Sequence, residues 1–134
     1  MAEDIISNSK VRSRWFIALD WYQQSNRSLS TLVESRLCSK CREHLEGREG
    51  SIEELLSNIR ECCSKNPNFI TPETPILESI FRLFLANGNQ PLNLEELGER
   101  LRERRSGDIY PTSVEVLSRL LHSDRCYGLR EVSD

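Results

Sequence analysis

Residues 76–104 read ILESIFRLFLANGNQPLNLEELGERLRER, and two helices follow from them. Ile76, Leu77, Ile80, Phe81, Phe84 and Leu85 recur at the three-and-four spacing of one helical face. Asn87-Gly88 closes that helix, because glycine accepts the left-handed backbone that ends many helices. Asn93, followed three residues later by Glu96, predicts a capping box before a second helix carrying Leu94, Leu97 and Leu101. Thr112 with Glu115 predicts the same for a third helix, which carries Val114, Leu117, Leu120 and Leu121. Tyr127 to Val132 is a candidate strand.

Upstream, Pro72 and Pro75 mark residues 68–75 as a connection. Before it, Ser51 with Glu54 predicts another capping box, and Ile52, Leu55, Leu56, Ile59, Cys62 and Cys63 share one face. That helix is expected to end near Asn66-Pro67, since proline disfavours helix at the preceding residue. Gly47 and Gly50 mark a break. Leu29, Leu32, Val33 and Leu37 lead at helical spacing into Cys38-Ser39-Lys40-Cys41. The aromatic run Trp15, Phe16, Ile17, Leu19, Trp21 and Tyr22 fits either period. It is read as helix because it continues into Gln23 and Gln24. Residues 1–10 are polar and read as a loose end. The expectation is a mainly α protein. A helical lobe over 1–67 carries a cysteine cluster, a linker spans 68–75, and a three-helix lobe with a short β element occupies 76–134.

Helix (76–87), short extended link (Gln90-Pro91-Leu92), helix (94–104), helix (113–122) and terminal strand (127–132) is an order that resembles the winged helix-turn-helix superfamily. The resemblance covers less than half of the chain. It implies that the link pairs with the terminal strand and that the third helix would enter a DNA major groove. The residues that helix would present are Glu115, Ser118, Arg119 and His122, a poor set for phosphate. Residues 72–134 hold 8 Lys+Arg against 11 Asp+Glu, a net of -3. Arg100, Arg102, Arg104, Arg105 and Arg119 are the basic residues that nucleic acid would use. Glu99 and Glu103 interleave with them, as on an ordinary solvated helix face. Protein contact suits this balance better than DNA.

The chain of 134 residues carries a formal charge of -3, which argues against a general electrostatic grip on nucleic acid or an anionic membrane. Its most apolar early stretch, Trp15 to Tyr22, is short, contains Asp20 and lacks the layout of a signal peptide. A cytoplasmic, soluble protein is therefore expected, and a reducing cytosol disfavours structural disulfides. Five cysteines then ask for another explanation.

Cys38 and Cys41 are spaced so that two thiolates can converge on one ion, as structural zinc requires. Cys62 and Cys63 follow after a gap typical of paired zinc knuckles, but they are adjacent. Neighbours on a helix point about 100° apart, so both can ligate only where the helix frays. Otherwise His44 completes the set, with Cys126 as a more remote candidate. Two other readings stay open: buried thiols that merely pack, and vicinal thiols that form a regulatory disulfide. A zinc ion here is expected to be structural, since catalytic sites keep a water and a nearby base.

The chain has two histidines and no glycine-rich phosphate loop, nucleophile elbow or paired-histidine metal motif. His122 reads as a cation at a helix C-terminus. The leading expectation is a non-enzymatic interaction or regulatory protein with a structural metal and a protein partner or homodimer. Its alternatives are a DNA-binding transcriptional regulator and a thiol-based redox sensor or small metalloenzyme.

Overall fold

The computed structural model describes residues 12–105 and 112–132. The elements are β1 (Arg14–Ile17), α1 (Leu19–Gln24), α2 (Leu29–Glu34), α3 (Ser39–His44), α4 (Ile52–Glu61), a 3-10 turn (Cys63–Lys65), α5 (Ile76–Ala86), β2 (Leu92–Asn93), α6 (Leu94–Arg104), α7 (Val114–His122) and β3 (Leu129–Glu131). The protein is mainly helical, with a short β element and a cysteine cluster. No helix among the described residues is long and apolar enough to cross a membrane. The loose end expected over residues 1–10 lies outside the described residues, as does most of the loop before α7.

Local signals explain most helix starts. Asn93 Oδ1 accepts from the Glu96 amide at 2.9 Å, and Glu96 Oε1 accepts from the Asn93 amide at 3.0 Å, which completes the predicted box. At α4 only half of the predicted box forms. Ser51 Oγ accepts from the Glu54 amide at 3.2 Å, while the Glu54 carboxylate takes both ends of the Arg48 guanidinium at 2.9 and 2.7 Å. The cap of α7 is Ser113, whose hydroxyl accepts from Val116, and not Thr112. Thr112 is buried instead, and its hydroxyl accepts from Arg102 Nη1 at 2.9 Å.

The aromatic run is not one helix. Residues 14–17 form a strand, and helix begins at Leu19 after extended Ala18. Sheet pairing decides the conformation that periodicity left open. β1 is the centre of a three-stranded antiparallel sheet ordered β2-β1-β3. Trp15 pairs with Leu92 on one side and Glu131 on the other, and Ile17 pairs with Leu129. Trp15 and Ile17 face the core, while Arg14 is exposed and Phe16 half-buried, the two-residue alternation of a strand with one face covered. The link at β2 therefore does not pair with the terminal strand β3, because β1 stands between them. Asn89, at φ 61, extends the sheet with its side chain. Its Oδ1 accepts from the Ile17 amide at 2.8 Å, and its Nδ2 donates to the Ile17 carbonyl at 2.9 Å.

The sheet thus ties the chain's first described residues to the half that the sequence separates at 68–75. One buried cluster continues the tie, from Val33, Leu37 and Leu45 through Leu55 and Ile59 to Phe81, Phe84, Leu97, Leu117 and Leu129. α2 packs on α4, α4 on α5, α5 on α6, and α6 on α7.

A polar junction reinforces this joint. Glu78 of α5 accepts from Arg36 Nε at 3.0 Å and Nη2 at 2.7 Å, from Arg82 Nε at 2.7 Å, and from the Tyr127 hydroxyl at 2.9 Å. The Tyr22 hydroxyl of α1 donates to the Tyr127 carbonyl at 2.6 Å. Burial by itself would raise the Glu78 pKa, but hydrogen bonds from the two guanidiniums outweigh it and hold the carboxylate down at about 2.

Candidate metal centre

Cys38 is the N-cap of α3, with extended backbone (φ -71, ψ 164), and Cys41 lies one turn into that helix. At a helix start these two positions lean towards each other, as the partners of a capping box do. On the far side, α4 ends at Glu61, earlier than the Asn66-Pro67 boundary predicts. Cys62 is its C-cap at φ -130, ψ -66, outside helical geometry, and Cys63 opens the 3-10 turn. The break in the helix at Cys62 lifts the steric objection to an adjacent pair. Cys62 and Cys63 do not share one helical frame, so both approach α3.

The sulfurs of Cys38, Cys41 and Cys62 all lie within 4.8 Å of one another. The Sγ atoms of Cys38 and Cys62 are 3.8 Å apart. Two thiolates about 2.3 Å from one tetrahedral ion stand about 3.8 Å apart, so this separation fits a shared ion. Cys63 Sγ accepts the Cys38 amide at 3.1 Å, which sets a fourth sulfur against the group. Exposure divides the four: Cys41 is 7 % and Cys63 1 % exposed, whereas Cys38 and Cys62 are half-exposed.

The electrostatics follow from crowding. The backbone amide of Cys41 is the largest cause that lowers the Cys38 thiol to about 7; burial opposes it, and the neighbouring thiols assist. Burial is the largest cause that raises both Cys41 and Cys63. Several thiolates this close repel one another unless a cation neutralises them, which is the service a divalent ion performs in a cysteine site.

Other residues read from the sequence lie elsewhere. His44, the last residue of α3, is exposed and outside the converging group. Its ring nitrogens are not among the ligand atoms that converge with Cys38, Cys41 and Cys62. Cys126 is exposed in the turn before β3 and also lies outside the group.

Three of the five arginines proposed for nucleic acid are committed to the protein. Arg105 is 3 % exposed and donates to the carbonyls of Thr74 and Pro72 and to Ser79 Oγ. Arg104 donates to the Ser64 carbonyl at 2.7 Å and lies over the Phe69 ring. Arg102 holds Thr112. Arg100 and Arg119 are exposed.

A cavity of about 260 Å³ opens beside the cluster, walled in part by Arg36, Cys38, Cys63, Asn66 and Arg82. Sequence reasoning missed it. Glu78 and Arg82 are a visible i,i+4 pair, but nothing in the sequence brings Arg36 or Phe69 to them. No family model, curated protein or solved structure matches the chain.

Proposed function

We propose that this is a non-enzymatic interaction or regulatory protein whose N-terminal helices are stapled by one structural zinc ion. Cys38, Cys41 and Cys62 supply three ligands and Cys63 the fourth. The convergence of these sulfurs from α3 and from the end of α4 carries the reading. An all-thiolate set with two buried members suits a closed structural site better than a catalytic one with an open position. The segment α5–β2–α6–α7–β3 is taken as winged-helix-like in element order. Its use is read as protein contact, because Arg102, Arg104 and Arg105 are spent inside the fold.

The test is metal analysis of protein purified without chelator. One zinc per chain is expected in the wild type, His44→Ala and Cys126→Ser, with stoichiometry lost in Cys62→Ser. Chelation should lower Tm by about 14 °C, the effect of losing about 4 kcal/mol in a chain of this size. Absence of zinc, with a Tm indifferent to chelator, would overturn the reading. Duplex DNA binding that weakens steeply with salt would favour the transcriptional alternative.

A further inference from the structure

The four clustered cysteines are not equivalent. The two that stand half-exposed, Cys38 and Cys62, are also a pair whose sulfurs approach to 3.8 Å. Cys38 borders the 260 Å³ cavity and a second hollow walled by Arg42 and Glu43, so the residue is open to small solutes on two sides. Cys41 and Cys63 lie behind, and the Cys63 sulfur is engaged by the Cys38 amide. Cys38 and Cys62 both stand at helix ends, N-cap and C-cap, where side chains are not locked between helical turns.

The geometry points to a redox-controlled metal site, in which a hydroperoxide oxidises Cys38 and Cys62 to a disulfide and the zinc is released. The inference rests on the metal reading above. One thiolate sulfur attacks a peroxide oxygen; the S–O bond forms, the O–O bond breaks, and hydroxide leaves and is protonated to water. The second thiolate attacks the resulting sulfenic sulfur, the S–S bond forms, and a second hydroxide leaves as water. The two sulfurs supply two electrons, hydrogen peroxide is reduced to two waters, and zinc keeps its charge. The ion loses two of its ligands and is released. The sulfurs close from 3.8 Å to about 2.05 Å. A dithiol reverses the reaction, and zinc rebinds. α3 and α4 then switch between an ion joining four sulfurs and a single covalent bond between two.

The experiment uses the whole 134-residue chain loaded with zinc, with a Cys126→Ser form alongside because Cys126 is exposed and reacts independently. Zinc is quantified first, and its absence at this stage fails the metal reading before any oxidant is added. Hydrogen peroxide is then titrated while released zinc, free thiols and disulfide-linked peptides are measured. The expected result is one zinc released as two thiols of Cys126→Ser disappear, with Cys38 linked to Cys62, and recovery of both on adding dithiothreitol and zinc. Retention of zinc while Cys126 alone is oxidised in the wild type would overturn the inference. So would release with the disulfide mapped to Cys41 or Cys63.

Discussion

Replacing Glu78 by glutamine tests how the two halves of the chain are held together. The carboxylate is 12 % exposed and is shared by Arg36, Arg82 and Tyr127. Its pKa falls from 4.5 to about 2 in the folded protein. A depressed carboxylate contributes stability that is present above its unfolded pKa, near 4.5, and is lost as pH falls through about 2. At about 1.4 kcal/mol per unit, the shift corresponds to about 3 kcal/mol at neutral pH. Removing one partner from a largely buried ionic group is expected to cost about the same, because two guanidiniums are left facing an amide. Urea denaturation of Glu78→Gln at pH 7 should therefore show a midpoint lower by about 1–2 M. Repeating the comparison down to pH 2 should make the two proteins converge, as the wild-type carboxylate takes up its proton. Any loss of zinc at low pH affects both proteins alike and drops out of the difference. A cost below about 1 kcal/mol at pH 7, or a difference that does not change between pH 7 and 2, would refute the assignment of this junction.

Two further substitutions probe the packing around α6. A Cβ at Gly98 would lie 2.8 Å from the Thr112 carbonyl oxygen, so Gly98→Ala should lower Tm, its overpacking cost of about 1–3 kcal/mol exceeding the roughly 1 kcal/mol gained in helix propensity; a raised Tm would show that the approach of Thr112 to α6 is wrong. Arg105→Met removes the buried fork that joins the carbonyls of Thr74 and Pro72 and should cost about 1–3 kcal/mol in urea denaturation, with Arg105→Lys intermediate because it keeps charge but loses the fork. Equal stability of all three proteins would remove Arg105 from the structural core.

Legibility in the sequence followed the range of the interaction. α5 and α6 were readable because their apolar spacing and the Asn93 box are local. The Cys38/Cys41 turn was readable for the same reason, since N-cap and third helical residue meet by helix geometry alone. The state of Cys62 and Cys63 was not, because it depends on α4 unwinding at Cys62. His44 is close to Cys41 in sequence, but closeness in sequence alone does not bring its imidazole into the group of converging sulfurs. The arginines of α6 and of its C-cap, Arg105, look like a surface strip in the sequence. Their partners, Ser64, Pro72, Thr74 and Thr112, come from segments that no periodicity connects to them.

By itself the sequence determined a mainly helical protein and placed four of its five cysteines in two groups that can meet, since both follow from spacing within a few residues. Only the tertiary structure decided that residues 14–17 are a strand: a run that suits either period takes the conformation in which its backbone groups find partners, and those partners lie on β2 and β3. It also decided which of the clustered cysteines are partly open to solvent and which are buried. That division depends on how α2, α4 and α5 pack, and exposure is a property of the assembled surface that no residue carries alone.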